Sequence, residues 1–219
     1  MTNPRLEILE QLAELARVLG NAHRLDLLDH VAQGERSVER LADVTGLTFA
    51  NVSQHLQQLR RVNLVRSRRD GKRVLYALGD GPIVSLLSAL RVLGEQNLST
   101  LRELVAANFS RLDDLEPISR NELVDRLRRG EVMLLDVRPP EEYAAGHVAG
   151  AVNVPEKELE VHLSALPKNQ EIVAYCRGTY CLQSFRAVAK LRELGFSVRR
   201  LEDGFPEWKE AGLKVESTQ

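Results

Sequence analysis

The chain has 219 residues, of which 43% are hydrophobic and 28% are charged, and its formal net charge is −1. These values are ordinary for a globular protein, and the length suits two domains of about 100 residues each. No charged start precedes an apolar segment, and no apolar run approaches 18 residues, so the sequence predicts neither a secretion signal nor a membrane span. We therefore expect a cytoplasmic protein with no membrane partner.

The small net charge conceals an asymmetry between the two halves of the chain. Residues 1–112 carry a net charge of +3, and the remainder carries −4. Seven basic residues lie between Arg60 and Arg73, where Asp70 is the only acidic residue. Such a cluster is most often a solvated surface, so it indicates nucleic acid only in a suitable structural context.

Apolar residues at helical spacing predict four helices before this basic cluster ends. The first two cover residues 4–19 and 22–32. Ser37 caps a short third helix and Thr48 caps a fourth, with Gly46 in the turn between them. The fourth helix presents one apolar stripe, formed by Val52, Leu56 and Leu59. Two short helices joined by a glycine-containing turn indicate a helix-turn-helix.

The residues after the fourth helix predict a β-hairpin, with strands at 64–68 and 73–78 around Asp70-Gly71. Polar side chains on the outer face of the fourth helix can reach base edges, and basic residues of the hairpin can hold phosphates. The pattern therefore predicts double-stranded DNA as a partner. The candidate DNA-binding residues are Thr48, Asn51, Ser53, Gln54, His55, Gln58, Arg66, Arg68, Arg69, Lys72 and Arg73.

Residues 20–80 resemble the winged-helix repressors of the ArsR/SmtB family. The resemblance is carried by the segments 20–25, 47–56 and 70–76, in this order and spacing. It implies a homodimer built from the first and last helices of the domain, an inverted-repeat operator, and an inducer that releases DNA. The last helix is predicted over about 83–107, where leucines recur at helical spacing.

The sequence departs from the metal-sensing members of that family at the short third helix. The cysteine-rich metal motif of those members would lie at 37–43, and this segment contains no cysteine. We therefore expect no metal site, and no cofactor is indicated. His23, His30 and His55 are interpreted as surface or DNA-facing residues.

In the second half, strand-like and helix-like segments alternate. The predicted strands are 132–137, 151–154, 171–175 and 198–201, and the predicted helices are 119–130, 157–165, 182–194 and 205–211. Continuous apolar strands that alternate with helices predict a parallel sheet covered by helices on both faces. The predicted organisation is a winged helix domain at 1–109, a linker at 110–116 and an α/β domain at 117–219.

One loop of this second domain carries the strongest chemical prediction. Cys176 follows the strand 171–175 directly, and a helix begins near Leu182. A loop between a strand and a helix collects free N–H groups and the positive end of the helix dipole, so it binds anions and favours a thiolate. We predict that Cys176 is a reactive, anion-handling cysteine; the alternative is a structural thiol. The remaining loop residues are Arg177, Gly178, Thr179, Tyr180 and Leu182.

Residues 117–215 resemble a rhodanese domain. The resemblance is carried by the segments 134–143, 146–155 and 204–208, together with a cysteine at the expected strand end. It implies that Cys176 accepts sulfur and forms a persulfide. Loop N–H groups would stabilise the terminal sulfur, and the guanidinium of Arg177 is a further candidate for this role. Asp136 and Arg138 are interpreted as a structural ion pair of the motif, and His147 as a packing residue.

Two positions of the loop bear on its chemistry. A phosphatase on this fold needs an arginine six residues after the nucleophile, where this chain has Leu182, so phosphatase activity is not expected. Sulfurtransferases are expected to carry a glycine three residues after the cysteine, whereas Gly178 comes at two. That departure argues against efficient thiosulfate turnover.

Cys181 is the second cysteine of the chain and lies in the same loop. Two cysteines five residues apart in a reducing compartment are poor candidates for a structural disulfide and better ones for chemistry. Cys181 could attack a Cys176 persulfide and resolve it to a disulfide; the alternative is a small apolar residue that starts the helix.

Three hypotheses about function follow. In the first, the protein is a transcriptional repressor whose rhodanese domain senses polysulfide, persulfide or thiosulfate through Cys176. In the second, it is a sulfurtransferase that its first domain tethers to DNA. In the third, it is a repressor that responds to a thiophilic metalloid. This hypothesis is the weakest, because two thiolates without a third ligand bind such an ion weakly.

Overall fold

The structure is a computed structural model that describes residues 3–110 and 117–218. It divides into two compact units, Met1–Ile83 and Val84–Gln219. The predicted linker, 110–116, lies outside the described residues except for Ser110.

The first unit is a helical bundle with a three-stranded sheet. Its elements are α1 (Pro4–Leu19), α2 (Ala22–Ala32), β1 (Arg36–Ser37), α3 (Val38–Thr45), α4 (Phe49–Arg61), β2 (Val65–Asp70) and β3 (Arg73–Leu78). The strands are antiparallel in the order β1-β3-β2. The side chains of Ser37 and Thr48 accept hydrogen bonds from the first turns of α3 and α4, as predicted. The predicted helix-turn-helix and hairpin are both present, and β1 is the element that the sequence did not predict.

The core of this unit explains why α3 and α4 keep a fixed angle. The predicted stripe of Val52, Leu56 and Leu59 is fully buried, and so are Leu27 and Leu41. These side chains lie on α4, α2 and α3 respectively. Burying each of them stabilises the fold by about 1.5–3 kcal/mol relative to an exposed position, so the three helices pack as one body.

The second unit begins with two successive helices rather than the single helix predicted over 83–107. It consists of α5 (Ile83–Asn97), which starts at the last residue of the first unit, and α6 (Ser99–Val105). A π-helical turn follows at Ala106–Ser110. Leu98 separates the two helices with extended backbone angles, φ −111° and ψ 106°. The prediction of one uninterrupted helix was wrong.

Contacts between the two helices explain the break. Gly94 has no Cβ, and one built there would lie 2.9 Å from Cδ2 of Leu101, so the glycine lets α6 fold back against α5. The Arg102 guanidinium donates to the backbone carbonyls of Glu95 and Gln96, which α5 leaves unpaired at its end. Both contacts depend on tertiary structure, and leucine spacing gives no indication of them.

The rest of the second unit is an α/β fold. Its helices are α7 (Arg120–Arg128), α8 (Pro140–Ala145), α9 (Leu159–His162), α10 (Leu182–Glu193) and α11 (Phe205–Glu210). Its strands are β4 (Val132–Asp136), β5 (His147–Val148), β6 (Val152–Asn153), β7 (Glu171–Tyr175), β8 (Val198–Arg200) and β9 (Val215–Glu216). The main sheet is parallel in the order β6-β4-β7-β8, and β5 pairs with β9 antiparallel. The predicted parallel sheet is confirmed.

Two details differ from the sequence prediction. The elements α8, β5 and β9 were not predicted. The helix expected at 157–165 is only α9, with 3₁₀ turns at Glu156–Glu158 and Leu163–Ala165. Leu166 is extended because the following Pro167 disfavours the helical conformation for the residue before it.

Side chains of β7 alternate between two cores, one on each face of the sheet. Ile172, Ala174 and Cys176 pack with residues of α10, and Val173 and Tyr175 pack in a second cluster with residues of α7 and α11. Helices therefore cover both faces, as predicted, and Cys176 lies at the carboxyl end of a central strand. No helix within the described residues is long and apolar enough to cross a membrane.

Candidate functional site

The cysteine loop, residues 176–181, connects β7 to α10. β7 ends at Tyr175, and Cys176 continues its direction with a side chain that is only 2% exposed. The N–H of Cys181 donates to the carbonyl of Gly178 at 3.1 Å and closes a turn within the loop. Cys181 is half-buried and occupies the N-cap position of α10, where its side chain makes no capping hydrogen bond. Both cysteines therefore lie where a strand delivers the chain to the start of a helix.

The structure joins Cys176 and Cys181 by a disulfide, with their Cα atoms 6.2 Å apart. The sequence disfavoured a structural disulfide, and this bond corrects that expectation only in part. A Cα separation of 6.2 Å is normal for a disulfide. The bond closes one short loop and does not join separate elements of the fold, so it leaves room for a chemical role.

The surroundings of the two sulfur atoms suit an anion. The Oε1 atom of Gln183 lies 3.4 Å from Cys176 Sγ and 3.8 Å from Cys181 Sγ. A half-turn of this amide about its last side-chain bond would present its N–H₂ group to the sulfurs, because the oxygen and nitrogen of an amide occupy nearly equivalent positions. Within the described residues, the backbone N–H groups of Gly178, Thr179 and Tyr180 have no hydrogen-bond acceptor. These N–H groups belong to the segment between the two cysteines, so they are the candidate donors of the loop.

Arg177 pairs with a carboxylate of a neighbouring helix. Its guanidinium forms a two-pronged ion pair with the nearly buried carboxylate of Glu142, at 2.7–3.0 Å. A guanidinium held in this way positions the loop against α8, and its charge is already compensated by a carboxylate. The structure thus shows a supporting contact of Arg177 with α8, and its role at the terminal sulfur stays a prediction.

Gly204 holds the loop from its other side. A Cβ atom at this position would lie 2.4 Å from the carbonyl carbon of Arg177 and 2.4 Å from the nitrogen of Gly178. The next residue, Phe205, donates its N–H to the carbonyl of Cys176 at 3.1 Å. The glycine of the predicted 204–208 motif is thus needed so that two backbone segments can touch.

Asp136 and Arg138 form the ion pair that the sequence analysis expected. Both side chains are fully buried, and Arg138 Nη2 lies 2.6 Å from Asp136 Oδ2. Burial alone would lower the pKa of Arg138, but hydrogen bonds and the charge of Asp136 outweigh it, and the pKa is raised. Arg138 also donates to the carbonyl of Gly146 and lies 4.2 Å from the centre of the Phe205 ring. The pair supports the loop's neighbours and makes no contact with either sulfur atom.

His147 is a packing residue, in keeping with its interpretation from the sequence. Its ring is buried and stacks on Tyr143 with 3.6 Å between ring centres. Its Nδ1 atom lies 2.8 Å from the carbonyl of Tyr143.

Sequence reasoning missed four residues that contact the loop or its supports. Glu142 lies inside the quoted 134–143 motif, and its pairing with a loop arginine could not be deduced from position alone. Glu207 likewise lies within the 204–208 motif, where it accepts from the N–H of Gly204. Gln183 stands two residues after Cys181, which was a usable indication. Glu95, on α5, accepts a hydrogen bond from the Tyr180 hydroxyl, and nothing in the sequence indicated this.

The candidate DNA-binding residues of α4 divide into two groups. Asn51 and Gln54 are exposed, and Ser53 is partly exposed. Gln58 instead accepts a hydrogen bond from Arg24 of α2. The pKa of His55 is lowered, first because of burial and then because of the nearby charges of Arg24 and His23. Thr48 caps the helix. The most exposed candidates are therefore Asn51 and Gln54 on α4 and Thr48 at its N-cap.

The wing residues also differ in their surroundings. Arg68 donates to both carboxylate oxygens of Glu35, at 2.8 and 3.0 Å, and Arg66 lies 3.3 Å from Asp80. The pKa of Glu35 is lowered, chiefly by its hydrogen bond from Arg68. The other three basic side chains of the hairpin are exposed and make no hydrogen bond within the described residues; they are Arg69, Lys72 and Arg73.

Metal binding has no support in the described part of the chain. It contains no group of three or more His, Cys, Asp or Glu side chains that could hold a metal ion.

Fold and site together define a winged-helix DNA-binding protein that carries a rhodanese domain. Residues 119–211 match the family model of a rhodanese-like domain, and residues 19–68 match that of a helix-turn-helix domain. The chain is 41% identical over 209 residues to the HTH-type transcriptional regulator Rv0324 of Mycobacterium tuberculosis, covering 95% of this chain and 92% of that protein. The chain belongs to the family of ArsR-type helix-turn-helix transcriptional regulators with a C-terminal rhodanese domain.

Two further relatives match one half of the chain each. A sulfurtransferase of Allochromatium vinosum is 33% identical over 86 residues, which are 39% of this chain and 78% of that protein. A solution structure of the homodimeric winged helix-turn-helix domain of a possible ArsR-family regulator of Mycobacterium bovis is 33% identical. It covers 46% of this chain and 93% of that chain, with a TM-score of 0.42.

Proposed function

We propose that this regulator is a repressor whose affinity for operator DNA is set by sulfane sulfur chemistry at Cys176, with Cys181 as the resolving thiol. The observation that carries the proposal is the Cys176–Cys181 disulfide at the start of α10. A resolving reaction requires two sulfur atoms that can come within bonding distance without rearrangement of the surrounding elements. The two cysteines of this loop meet that requirement.

The chemistry runs in two balanced steps. The Cys176 thiolate attacks a polysulfide, Sₙ²⁻, and forms the persulfide Cys176–S–S⁻ while the donor leaves as Sₙ₋₁²⁻. Cys181 then attacks Sγ of Cys176 and expels HS⁻: Cys176–S–S⁻ and Cys181–SH become Cys176–S–S–Cys181 and HS⁻. The transferred sulfur takes up two electrons, and the two cysteines give them up. No further oxidant is needed.

The chain's own groups favour both steps. The N–H groups of Gly178, Thr179 and Tyr180 can stabilise the Cys176 thiolate and the anionic terminal sulfur, because preorganised donors act strongly where water is excluded. Burial of Cys176 limits its exposure to water. The amide of Gln183 lies near both sulfurs, so it can donate a hydrogen bond to whichever sulfur carries the negative charge. Gln183 is therefore assigned a positioning role.

The DNA-binding half acts as a homodimer in this proposal. α1 exposes a set of large apolar side chains between 48% and 62%: Leu6, Ile8, Leu9 and Leu12. α5 exposes a second set: Leu86, Leu90, Val92 and Leu93. Exposed apolar surface of this extent on two helices is typical of an interface. A two-fold dimer would present two α4 helices and two wings to the half-sites of an inverted repeat.

The second candidate function is a sulfurtransferase that the first domain tethers to DNA. It is favoured by the similarity of the second unit to the Allochromatium vinosum sulfurtransferase. Turnover separates the two functions: an enzyme passes sulfur from Cys176 to an acceptor repeatedly, whereas a resolved disulfide holds no sulfur to pass. The metalloid-responsive repressor is the weakest candidate, because two thiolates alone bind such an ion weakly.

The experiment measures binding of the reduced, full-length protein to its own promoter DNA at fixed salt, before and after treatment with polysulfide. Mass spectrometry of the loop peptide is recorded on the same samples. Under the proposal, DNA affinity changes as the peptide loses two hydrogens in forming the disulfide. Cys176→Ser abolishes the response, and Cys181→Ser stops at the persulfide, which is 32 Da heavier by the mass of one sulfur.

One result would contradict the regulator, and another would contradict the resolving role of Cys181. If Cys176 takes up sulfur while DNA affinity stays constant, the tethered enzyme is the better account, and repeated sulfur transfer to cyanide should then be measurable. If Cys181→Ser responds like the wild type, Cys181 does not resolve the persulfide.

A further inference from the structure

The cysteine loop is in contact with α5 and with the π-helical turn that follows α6. All of these contacts lie inside the second unit, although α5 starts at the end of the first. They give the loop a physical connection to the helix whose outer side carries the exposed leucines. Two contacts make up this connection, and a third holds the start of α5 independently of the loop.

Tyr180 provides the first contact. It is adjacent to Cys181, and its hydroxyl donates to Oε1 of Glu95 on α5. Its ring lies 5.8 Å from the ring of Phe109, which in turn lies 5.0 Å from that of Phe185. Burial and the bond to Glu95 raise the pKa of Tyr180, so the hydroxyl stays a donor at neutral pH. One loop residue thus contacts both α5 and the segment after α6.

Glu207 provides the second contact. Its carboxylate accepts from Ser88 and pairs with Arg91, both on α5, at 3.3 Å each. The same carboxylate accepts from the N–H of Gly204 at 3.1 Å, and Gly204 touches the backbone of the loop. The pKa of Glu207 is raised because its burial outweighs the charge of Arg91.

Glu210 provides the third contact, and this one does not involve the loop. Its two carboxylate oxygens accept from the N–H groups of Val84 and Ser85 in the first turn of α5, at 3.0 and 2.8 Å. The start of α5 is therefore held to α11 independently of the cysteines. The end of α5, at Glu95, is held by Tyr180.

We propose that Tyr180 transmits the oxidation state of Cys176 and Cys181 to α5, through its hydrogen bond to Glu95 and its contact with Phe109. This inference rests on the proposed function. The disulfide closes a six-residue loop and fixes Tyr180 next to Glu95, whereas in the reduced loop no covalent bond holds Tyr180 in place. Reduction therefore weakens the hold of the loop on the end of α5, while Glu210 keeps its start fixed. Coupling requires that the oxidised and the reduced loop stabilise different states of α5. A contact that only the disulfide form holds in place meets this requirement.

The first test uses hydrogen exchange of the full-length protein without DNA. In the wild type, reduction of the disulfide should speed exchange of backbone amides near Glu95 and Leu98 by about three- to tenfold, the loss expected for one hydrogen bond. In Tyr180→Phe, these amides should exchange equally fast in both states. Equal exchange in reduced and oxidised wild type would overturn the proposal.

The second test is the ratio of DNA affinities of the disulfide and reduced forms. Tyr180→Phe and Glu95→Gln should each bring this ratio closer to one by a factor of about three to ten. Both variants should still form the disulfide, as mass spectrometry would show. Tyr143→Phe is the matched control, since it removes one hydroxyl that donates to the Ala151 carbonyl and lies outside the cysteine loop. It should leave the ratio at the wild-type value.

The two tests keep this inference separate from the proposed function. If exchange near Glu95 depends on the disulfide but wild-type DNA affinity does not, the contact between loop and helix holds and the regulatory function fails. If disulfide formation changes the DNA affinity of the wild type and of Tyr180→Phe by the same factor, the regulatory function holds. Tyr180 then does not connect the loop to α5.

Discussion

Asp136 shows how strongly a single buried charge can depend on one partner. It pairs with the fully buried Arg138 and accepts from the Tyr175 hydroxyl at 2.6 Å. Arg138 has a raised pKa and stays charged, so its charge has to be compensated inside the protein. The carboxylate of Asp136 is therefore needed to compensate the buried charge of Arg138. The ion pair as a whole is not counted as a net gain in stability.

The first prediction concerns this ion pair. Asp136→Asn keeps the shape of the side chain but leaves the charge of Arg138 without its carboxylate, so unfolding of the second unit should become easier by about 3–5 kcal/mol. Trp208 is the only tryptophan of the chain and is buried in the second unit, so its fluorescence during urea denaturation reports on that unit. The control is Asp125→Asn, which breaks an exposed pair with Arg128 and should cost at most about 1 kcal/mol. Equal losses in both variants would contradict the prediction.

The second prediction compares two glycines at one contact. Gly204→Ala forces a Cβ to within 2.4 Å of the loop backbone, so we expect a shifted loop, slower disulfide formation and a loss of about 2 kcal/mol or more. Gly178→Ala places its Cβ 3.9 Å from Glu207 Oε1, without a positive φ, and should be tolerated. The rate of disulfide formation with polysulfide, followed by mass spectrometry, distinguishes them. If Gly178→Ala is the more damaging variant, the loop conformation differs from the one described.

At the scale of elements, the wing has a role that its charges make measurable. Arg69, Lys72 and Arg73 are exposed on the hairpin formed by β2 and β3, and Arg68 is paired with Glu35. Basic side chains without a carboxylate partner are the ones that replace counterions on phosphate most fully. The hairpin should therefore contribute affinity without sequence preference.

The third prediction tests the wing. Lys72→Ala should lower the slope of log affinity against log salt concentration by about 0.9 in magnitude, the effect of one phosphate contact, for operator and unrelated DNA alike. The measurement is a salt titration of DNA binding. Arg128→Ala, which removes an exposed charge of the second unit, should leave the slope unchanged. A loss confined to the operator sequence would mean that Lys72 contacts bases.

Most elements could be predicted from the sequence because their causes are local. Caps such as Ser37 and Thr48, and apolar spacing along α4, fix helices wherever they occur. The break at Leu98 could not be predicted, because it depends on Leu101 packing against Gly94. β5 and β9 are two residues long and form only by pairing with each other, so no local pattern indicates them.

The candidate site was predictable to a similar degree. The position of Cys176 at a strand end followed from the apolar run before it and the helix after it. The partners of the loop did not follow, since Glu142, Gly204 and Glu95 are remote in sequence and reach the loop only through the fold. Arg177 illustrates this difference. The sequence analysis identified Arg177 as a loop residue, but it could not identify its ion pair with Glu142.

At the scale of the whole molecule, the proposed function depends on two copies of the chain. The apolar side chains exposed on α1 and α5 are the surfaces that such a dimer would cover. A helix that both covers a dimer contact and touches the cysteine loop would allow chemistry at one site to alter the spacing of two DNA-binding surfaces.

The fourth prediction tests this assembly. Leu9→Glu places a charge in the apolar surface of α1, so the protein should sediment as a monomer at concentrations where the wild type is a dimer, and operator affinity should fall at least about tenfold. Analytical ultracentrifugation and DNA binding provide the two measurements. Val161→Glu is the control, because Val161 is 80% exposed and lies outside both helices. A monomeric wild type would refute the proposed dimer.

The unequal exposure of the two sulfurs has a consequence for how long a response lasts. Cys176 is almost fully enclosed, whereas Cys181 is only half-buried. A thiol of the cell that attacks the bond therefore reaches Cys181, forms a mixed disulfide there and releases Cys176 as the thiolate. Under the proposed function, supply of sulfane sulfur sets the onset of the response, and supply of reducing thiols sets its end. Each protomer would then keep a record of its exposure until that thiol arrives, even after the donor is gone.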